Sequence, residues 1–315
     1  MSRLVLVVGV GRSGTSLFTG ILGQLGYHVP QPEVAADSTN PRGFSEPRWV
    51  VDFHTELLRA RRVTVNDSRP KAFEKTAETD EATYDELRNW LDGQLGAADA
   101  VVVKDPRTGW FLPLWTRAAA GADLSFVTML RHPAEIVASA TRSYGEWQTP
   151  ASRVAAWVNL TLETERATRG SKRAFVRYED LLEDWPREVR RVGGLIESPK
   201  LAAVEHNPEV DAFVDPSLHR NRIVWEELHV PASIRDLAED VWQRLQPLAR
   251  GDRADAQLDE ARAAYGALYA EAEAIAQSSI TAAKPRKRPA KPQPSAPPSL
   301  KARLARRAAG ALRRS

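Results

Sequence analysis

The segment Gly9-Val-Gly-Arg-Ser-Gly-Thr-Ser16 follows one apolar run, Leu4 to Val8, and precedes another at helical spacing. Such a segment is a phosphate-binding loop. Gly9, Gly11 and Gly14 let the backbone turn tightly and aim N–H groups inward, and the helix that follows offers its positive end to the same anion. The nucleoside-triphosphate form of this loop is G-x-x-x-x-G-K-[ST], and here Thr15 stands where the lysine would reach the β- and γ-phosphates. The loop suits a phosphate and disfavours a triphosphate.

Three other clusters have matching chemistry. Arg131 leaves a short apolar run, and Ser139 follows eight residues later, one or two turns into the next helix, so a guanidinium and a hydroxyl could converge on one phosphate. Lys104 ends a β-branched run in Lys-Asp-Pro-Arg-Thr, where a cation can face charge developing on a transferring group. Tyr178, in Val-Arg-Tyr-Glu-Asp-Leu-Leu, sets an aromatic ring at a further strand end, able to stack on a base. Asp105 and Arg107 could touch a ligand or simply pair with each other.

The elements needed to hold these residues are legible. Strands are expected at Leu4–Val8, Val101–Val103, Leu124–Leu130 and Ala174–Arg177, with helices between them at about 15–25, 47–61, 81–95, 135–142 and 152–168. Tyr84, Leu87, Leu91 and Leu95 share one face, as do Val154, Trp157, Val158, Thr161 and Leu162, and later Leu258, Ala261, Tyr265, Leu268 and Tyr269. Such stripes belong to a core. Alternating strands and helices imply an α/β fold with a parallel sheet flanked by helices, and ligands at the carboxyl ends of its strands.

Composition bounds the rest. The 315 residues contain 44 Lys or Arg and 41 Asp or Glu, and eleven of the basic residues lie in 281–315, which has no acidic residue. Residues 1–280, with the remaining 33 basic residues against all 41 acidic ones, are therefore acidic and are expected to form the α/β domain. The chain has no cysteine, which excludes disulfides, thiolate metal sites and a cysteine nucleophile and accords with a reducing cytoplasm. No segment has the length and apolarity of a membrane span, and the Ala- and Arg-rich composition fits a bacterial source. No cluster has metal-ligand spacing, so none of the site residues is assigned to a metal.

Together these motifs resemble the sulfotransferases that use 3′-phosphoadenosine 5′-phosphosulfate (PAPS). Arg12-Ser13-Gly14-Thr15-Ser16 matches the family's loop for the 5′-phosphosulfate, and Gly11 precedes it. Arg131 with Ser139 matches its 3′-phosphate pair, Lys104 its strand-end lysine near the sulfonate, and Tyr178-Glu179-Asp180 the Y-E-D near the adenine. The likeness covers about Leu4 to Leu182, with a weaker extension over 215–222 that makes Arg220 and Arg222 candidates for the 3′-phosphate. It implies the P-loop-type fold and in-line transfer of a sulfonate from PAPS to an acceptor hydroxyl. Arg12 and Lys104 would stabilise the leaving oxygen, and no metal is needed.

The resemblance also bears on the general base. The cytosolic animal enzymes use a histidine two residues after the strand-end lysine, where this chain has Pro106. Related bacterial and Golgi-type enzymes use a glutamate after the first helix, which assigns the role to Glu46; the alternative is that Glu46 only favours the start of the helix at Pro47. A P-loop nucleotide kinase, or a non-catalytic nucleotide- or glycan-binding module, is the competing reading of the whole pattern. The acceptor is expected to be a carbohydrate or glycolipid hydroxyl.

The segment 281–315 is a separate matter. Lys284–Ser299 mixes Pro, Lys, Arg and Ser and is expected to be a disordered linker. Leu300, Leu304, Ala308 and Leu312 then recur every four residues among basic side chains, which allows either a short amphipathic helix on an anionic membrane surface or a solvated basic end. The first alternative would place a cytoplasmic protein peripherally at the inner membrane face. Nucleic acid is not expected as a partner, since the segment has no aromatic residue to stack on bases.

Overall fold

The computed structural model describes residues 2–40, 42–145, 147–214, 225–252 and 254–283. Arg220 and Arg222, and the basic segment apart from residues 281–283, lie outside them. The unit that carries the sheet ends at Glu271, and Ala272 begins a second one.

Four parallel strands, β1 (Arg3–Val8), β2 (Ala100–Lys104), β3 (Asp123–Leu130) and β4 (Lys172–Arg177), lie in the order β2-β1-β3-β4. Between β1 and β2 come α1 (Thr15–Gln24), α2 (Arg48–Arg61), α3 (Ala72–Ala77) and α4 (Glu81–Ala97). Helix α5 (Leu112–Ala118) precedes β3, and α6 (Pro133–Tyr144) and α7 (Pro150–Ala167) precede β4. The chain continues through α8 (Tyr178–Glu183), α9 (Trp185–Leu195), α10 (Pro199–Ala202), α11 (Pro208–Phe213), α12 (Ala232–Ala249) and α13 (Asp255–Ala283).

The strands are apolar without alternation because both faces of a parallel sheet are covered. Leu4, Leu6 and Val8 of β1 point into a core with Trp110, Trp115, Trp157 and Val241, whereas Val5 and Val7 point into a second core with Phe18, Ile21, Leu22 and Val189. All five of these β1 side chains have 0% exposure. The stripes on α4, α7 and α13 are confirmed as core-facing through Leu87, Leu91, Val154, Trp157, Val158, Leu258 and Tyr265.

Some elements differ from expectation, among them α3 and α6. The stretch between the expected helices at 47–61 and 81–95 contains α3, whose six residues are too few to show a periodic stripe. Helix α6 begins at Pro133, two residues early, because proline supplies a helix-ready φ at the first position and the His132 ring accepts a hydrogen bond from the Ala134 N–H at 3.3 Å.

The strand order fixes where a ligand can bind. From β1 the chain crosses to β2 on one side, then passes back to β3 on the other. The carboxyl end of β1 is therefore the switch point of the sheet, the place where open α/β sheets bind their ligands. Gly9–Gly14 emerges there. The registers Val7 with Lys104 and Val8 with Thr128 bring the ends of β2 and β3 alongside it.

Candidate functional site

The loop's glycines are required by its surroundings at two positions. Gly9 has φ +140°, and a methyl group there would lie 2.8 Å from the Met129 carbonyl oxygen and 2.9 Å from Ser13 Oγ. Gly14 has φ +97° and caps α1 as a left-handed residue; a methyl group on it would stand 2.4 Å from Tyr178 Cδ2. Arg12 also has positive φ, 76°, without glycine's freedom, a conformation costing about 1–3 kcal/mol. Several bonds hold it. Its carbonyl accepts from Arg131 Nη1 at 3.2 Å, its Nε donates to Ser139 Oγ at 3.1 Å, and its Nη1 donates to the Thr39 carbonyl at 3.4 Å.

Arg12, Arg131, Ser139 and Tyr178 are thus brought together, though not in the pairs that spacing suggests. Ser139 meets Arg12, while Arg131 Nε donates to Glu135 Oε2 at 2.8 Å, one helical turn along α6. The Arg131 guanidinium lies 4.5 Å from the centre of the Tyr178 ring, so one face of that ring carries a cation. Arg131 is 5% exposed and Ser13 1% exposed, yet Arg131 Nη2 and Ser13 Oγ have no hydrogen-bond partner among the described residues. Buried donors are nearly always bonded. Two such donors beside a helix N-terminus suit the oxygens of a phosphorylated ligand, so the donor set fits the nucleotide that the motifs imply.

On the other side of the loop Lys104 Nζ donates to Glu46 Oε1 at 2.5 Å, to Ser16 Oγ at 3.0 Å and to the Phe44 carbonyl at 3.3 Å. Lys104 and Glu46 are 2% and 7% exposed. Burying an ion pair costs several kcal/mol per ion before attraction offsets it, so a pair held like this is poor evidence of a purely stabilising role. Burial pushes the Glu46 carboxyl above its ordinary range despite the downward pull of Lys104, and the Asp105 charge adds to the rise. The result is a carboxylate with heightened proton affinity next to a cation. It can accept a proton while the ammonium faces an anion.

Glu46 reaches this place through its loop. The Val34 N–H donates to the Glu46 carbonyl at 2.8 Å, the Arg48 N–H to the Pro32 carbonyl at 2.8 Å, and Ser45 adopts φ 51°. The α2 N-cap is Pro47.

Behind the pair lies a cluster in which Asp105 and Arg107 are joined by His54 and Trp115, two residues that carried no motif. Asp105 has 0% exposure; its Oδ2 is 2.7 Å from His54 Nδ1, and its Oδ1 accepts from Arg107 Nη1 at 2.7 Å. Trp115 Nε1 donates to His54 Nε2 at 2.9 Å. Asp105 and Arg107 pair, one of the two roles open to them in the sequence. His54, between Phe53 and Thr55 on the buried face of α2, had only its place among Val50, Phe53 and Leu58 to mark it.

Among the described residues, no group of three or more His, Asp or Glu side chains is placed to hold a metal ion, and no helix is long and apolar enough to cross a membrane.

A parallel sheet with a glycine-rich loop at its switch point, flanked by strand-end Lys104 and Arg131, defines an α/β protein with cations beside that loop. The chain belongs to the sulfotransferase family, whose model matches residues 5–199, and its chemistry is sulfonate transfer. Among solved structures it is similar to the sulfotransferase domain of the olefin synthase from Synechococcus PCC 7002. That match has 17% identity over 78% of this chain and 96% of that one, with a TM-score of 0.46. A second is the sulfotransferase STF1 from Mycobacterium tuberculosis H37Rv, with 17% identity over 68% of this chain and 71% of that one and a TM-score of 0.38. Comparison with curated protein sequences gives no match.

Proposed function

We propose that the protein transfers a sulfonate from PAPS to an acceptor hydroxyl, with Glu46 as general base. The observation that carries this reading is the buried Lys104–Glu46 pair, 2.5 Å apart and bonded through Lys104 to Ser16 of the phosphate-binding loop. Gly11, Arg12, Ser13, Gly14, Thr15 and Ser16 would hold the 5′-phosphosulfate, Arg131 and Ser139 the 3′-phosphate, and Tyr178 would flank the nucleotide.

The donor supplies a sulfonate attached to a phosphate leaving group. In the balanced step the acceptor oxygen forms a new S–O bond as the bond to the bridging oxygen breaks, and the acceptor proton passes to Glu46. Arg12 and Lys104 lie where cations can take up the charge of the leaving phosphate. The raised proton affinity of Glu46 supports its part as base.

A carbohydrate or glycolipid hydroxyl is the proposed acceptor class. Support comes from an exposed aromatic side chain near the loop: Tyr144, 48% exposed, lies with its ring centre 5.9 Å from the Arg12 guanidinium. Aromatic faces of this kind suit the apolar side of a sugar ring. The test is a thermal shift with adenosine 3′,5′-bisphosphate against ATP, followed by an acceptor screen with labelled PAPS. Stabilisation by the bisphosphate and label on a glycan are expected. Stabilisation by ATP alone would return the loop to the kinase reading.

A further inference from the structure

The segment from Glu46 through α2 is tied to the end of β2 twice. Glu46 meets Lys104, and eight residues later His54 meets Asp105, the next residue of the strand end. The part of this stretch inside α2, from Arg48 to His54, rises about 9 Å along the helix axis, so the two ties are well separated on one side while adjacent on the other. That arrangement fixes both the position and the angle at which the Glu46 segment approaches Lys104. A single ion pair would leave it free to pivot.

The second tie has a defined direction. An indole N–H can only donate, so Trp115 requires a lone pair on His54 Nε2, and the ring proton must sit on Nδ1. Nδ1–H then donates to Asp105 Oδ2. The other Asp105 oxygen accepts from the Arg107 side chain at 2.7 Å and from the Arg107 N–H at 3.2 Å. With donors on both oxygens, Asp105 is maintained as an anion at 0% exposure, its carboxyl held below the usual range because these bonds outweigh complete burial.

We propose that Asp105 and His54 are positioning residues for the transfer reaction: they lock Glu46 over Lys104 and keep a fixed anion behind the pair. This rests on the reading of Glu46 as the base. The charges facing Glu46 are Lys104 and Asp105 at the end of β2 and Arg107 in the turn after it. With Glu46 ionised, these four groups balance. Proton uptake by Glu46 leaves two cations against Asp105 alone, and without Asp105 nothing would offset them. The fixed anion therefore favours the protonated Glu46 that the step must produce, while Lys104, released from its partner, is free to face the leaving phosphate.

The relay can be read without donor or acceptor. Carboxyl carbon NMR of protein labelled at glutamate, taken as the difference between wild type and Glu46→Gln, gives the titration midpoint of Glu46. In Asp105→Asn that midpoint should fall by about one pH unit, as loss of a nearby like charge requires. His54→Asn, which keeps an N–H near the Nδ1 position, should retain the wild-type midpoint, and His54→Leu should not. An unmoved midpoint in a folded Asp105→Asn protein would overturn the relay.

Should that variant not fold, the nitrogen shifts of His54 in the wild-type protein decide. A proton on Nδ1 with a lone pair on Nε2 is expected, and the opposite tautomer would overturn the proposal. Undiminished turnover in Glu46→Gln would instead remove the base assignment, a failure separate from either of these.

Discussion

Glu46 Oε1 lies 2.5 Å from Lys104 Nζ, joining a loop that follows the first helix to the end of the second strand across 58 positions of sequence. The contact sits beside Ser16, so the paired charges and the glycine-rich loop form one site.

Replacing Glu46 by Gln keeps the shape and removes the proposed base. Turnover from labelled PAPS should fall by about 10²–10⁴-fold, the usual share of a positioned acid or base. Binding of adenosine 3′,5′-bisphosphate, measured by calorimetry, should change little. Full turnover in this variant would take Glu46 out of the chemistry.

The pH dependence follows from the direction of the Glu46 shift. The proposed role of Glu46 requires the carboxylate, so the acidic limb of the rate profile should lie above the ordinary glutamate value of about 4.3. The sign for stability is opposite. A carboxyl whose folded pKa is raised favours the folded state below its unfolded value, and this contribution is lost as pH rises through the folded value. Glu46→Gln should therefore flatten that part of the melting-temperature profile, and a rate limb at or below 4.3 would contradict the burial argument.

Arg131→Ala should abolish most bisphosphate binding. The guanidinium bonds the Arg12 carbonyl and holds a second nitrogen that is buried and unbonded among the described residues. Losing charge-assisted bonds worth about 1.5–3 kcal/mol each predicts a Kd at least ~10-fold weaker by calorimetry. Because Glu135, 7% exposed, loses its Arg131 contact, the melting temperature should also drop.

Gly14→Ala tests the loop backbone. Its φ of +97° disfavours any side chain, and the added methyl would press on Tyr178 Cδ2 at 2.4 Å. A loss of about 1–3 kcal/mol in urea unfolding is expected, with weaker bisphosphate binding as the α1 N-terminus shifts. Wild-type stability would mean that the Tyr178 ring moves aside freely.

Much of this was visible in the chain. The four strands were legible because each is a short apolar run that ends at a charged or glycine-rich break. The helices carrying the stripes on α4, α7 and α13 were legible because each buries one face. Helix α3, six residues long, had no room to display a period. His54 was invisible for a different reason: a lone histidine on an apolar face looks the same whether it is merely buried or fixed between Asp105 and Trp115.

By itself, then, the sequence determined the α/β class, the glycine-rich turn after the first strand, and the residue types at the strand ends, since these depend on local spacing and on the chemistry of single side chains. The pairings were decided by tertiary structure. Ser139 turned to Arg12, Arg131 to Glu135, and Glu46 to Lys104, because strand order and the path of the 30–47 loop set which distant groups share a buried space. In that space each donor must find the acceptor within reach, and spacing along the chain does not encode that distance.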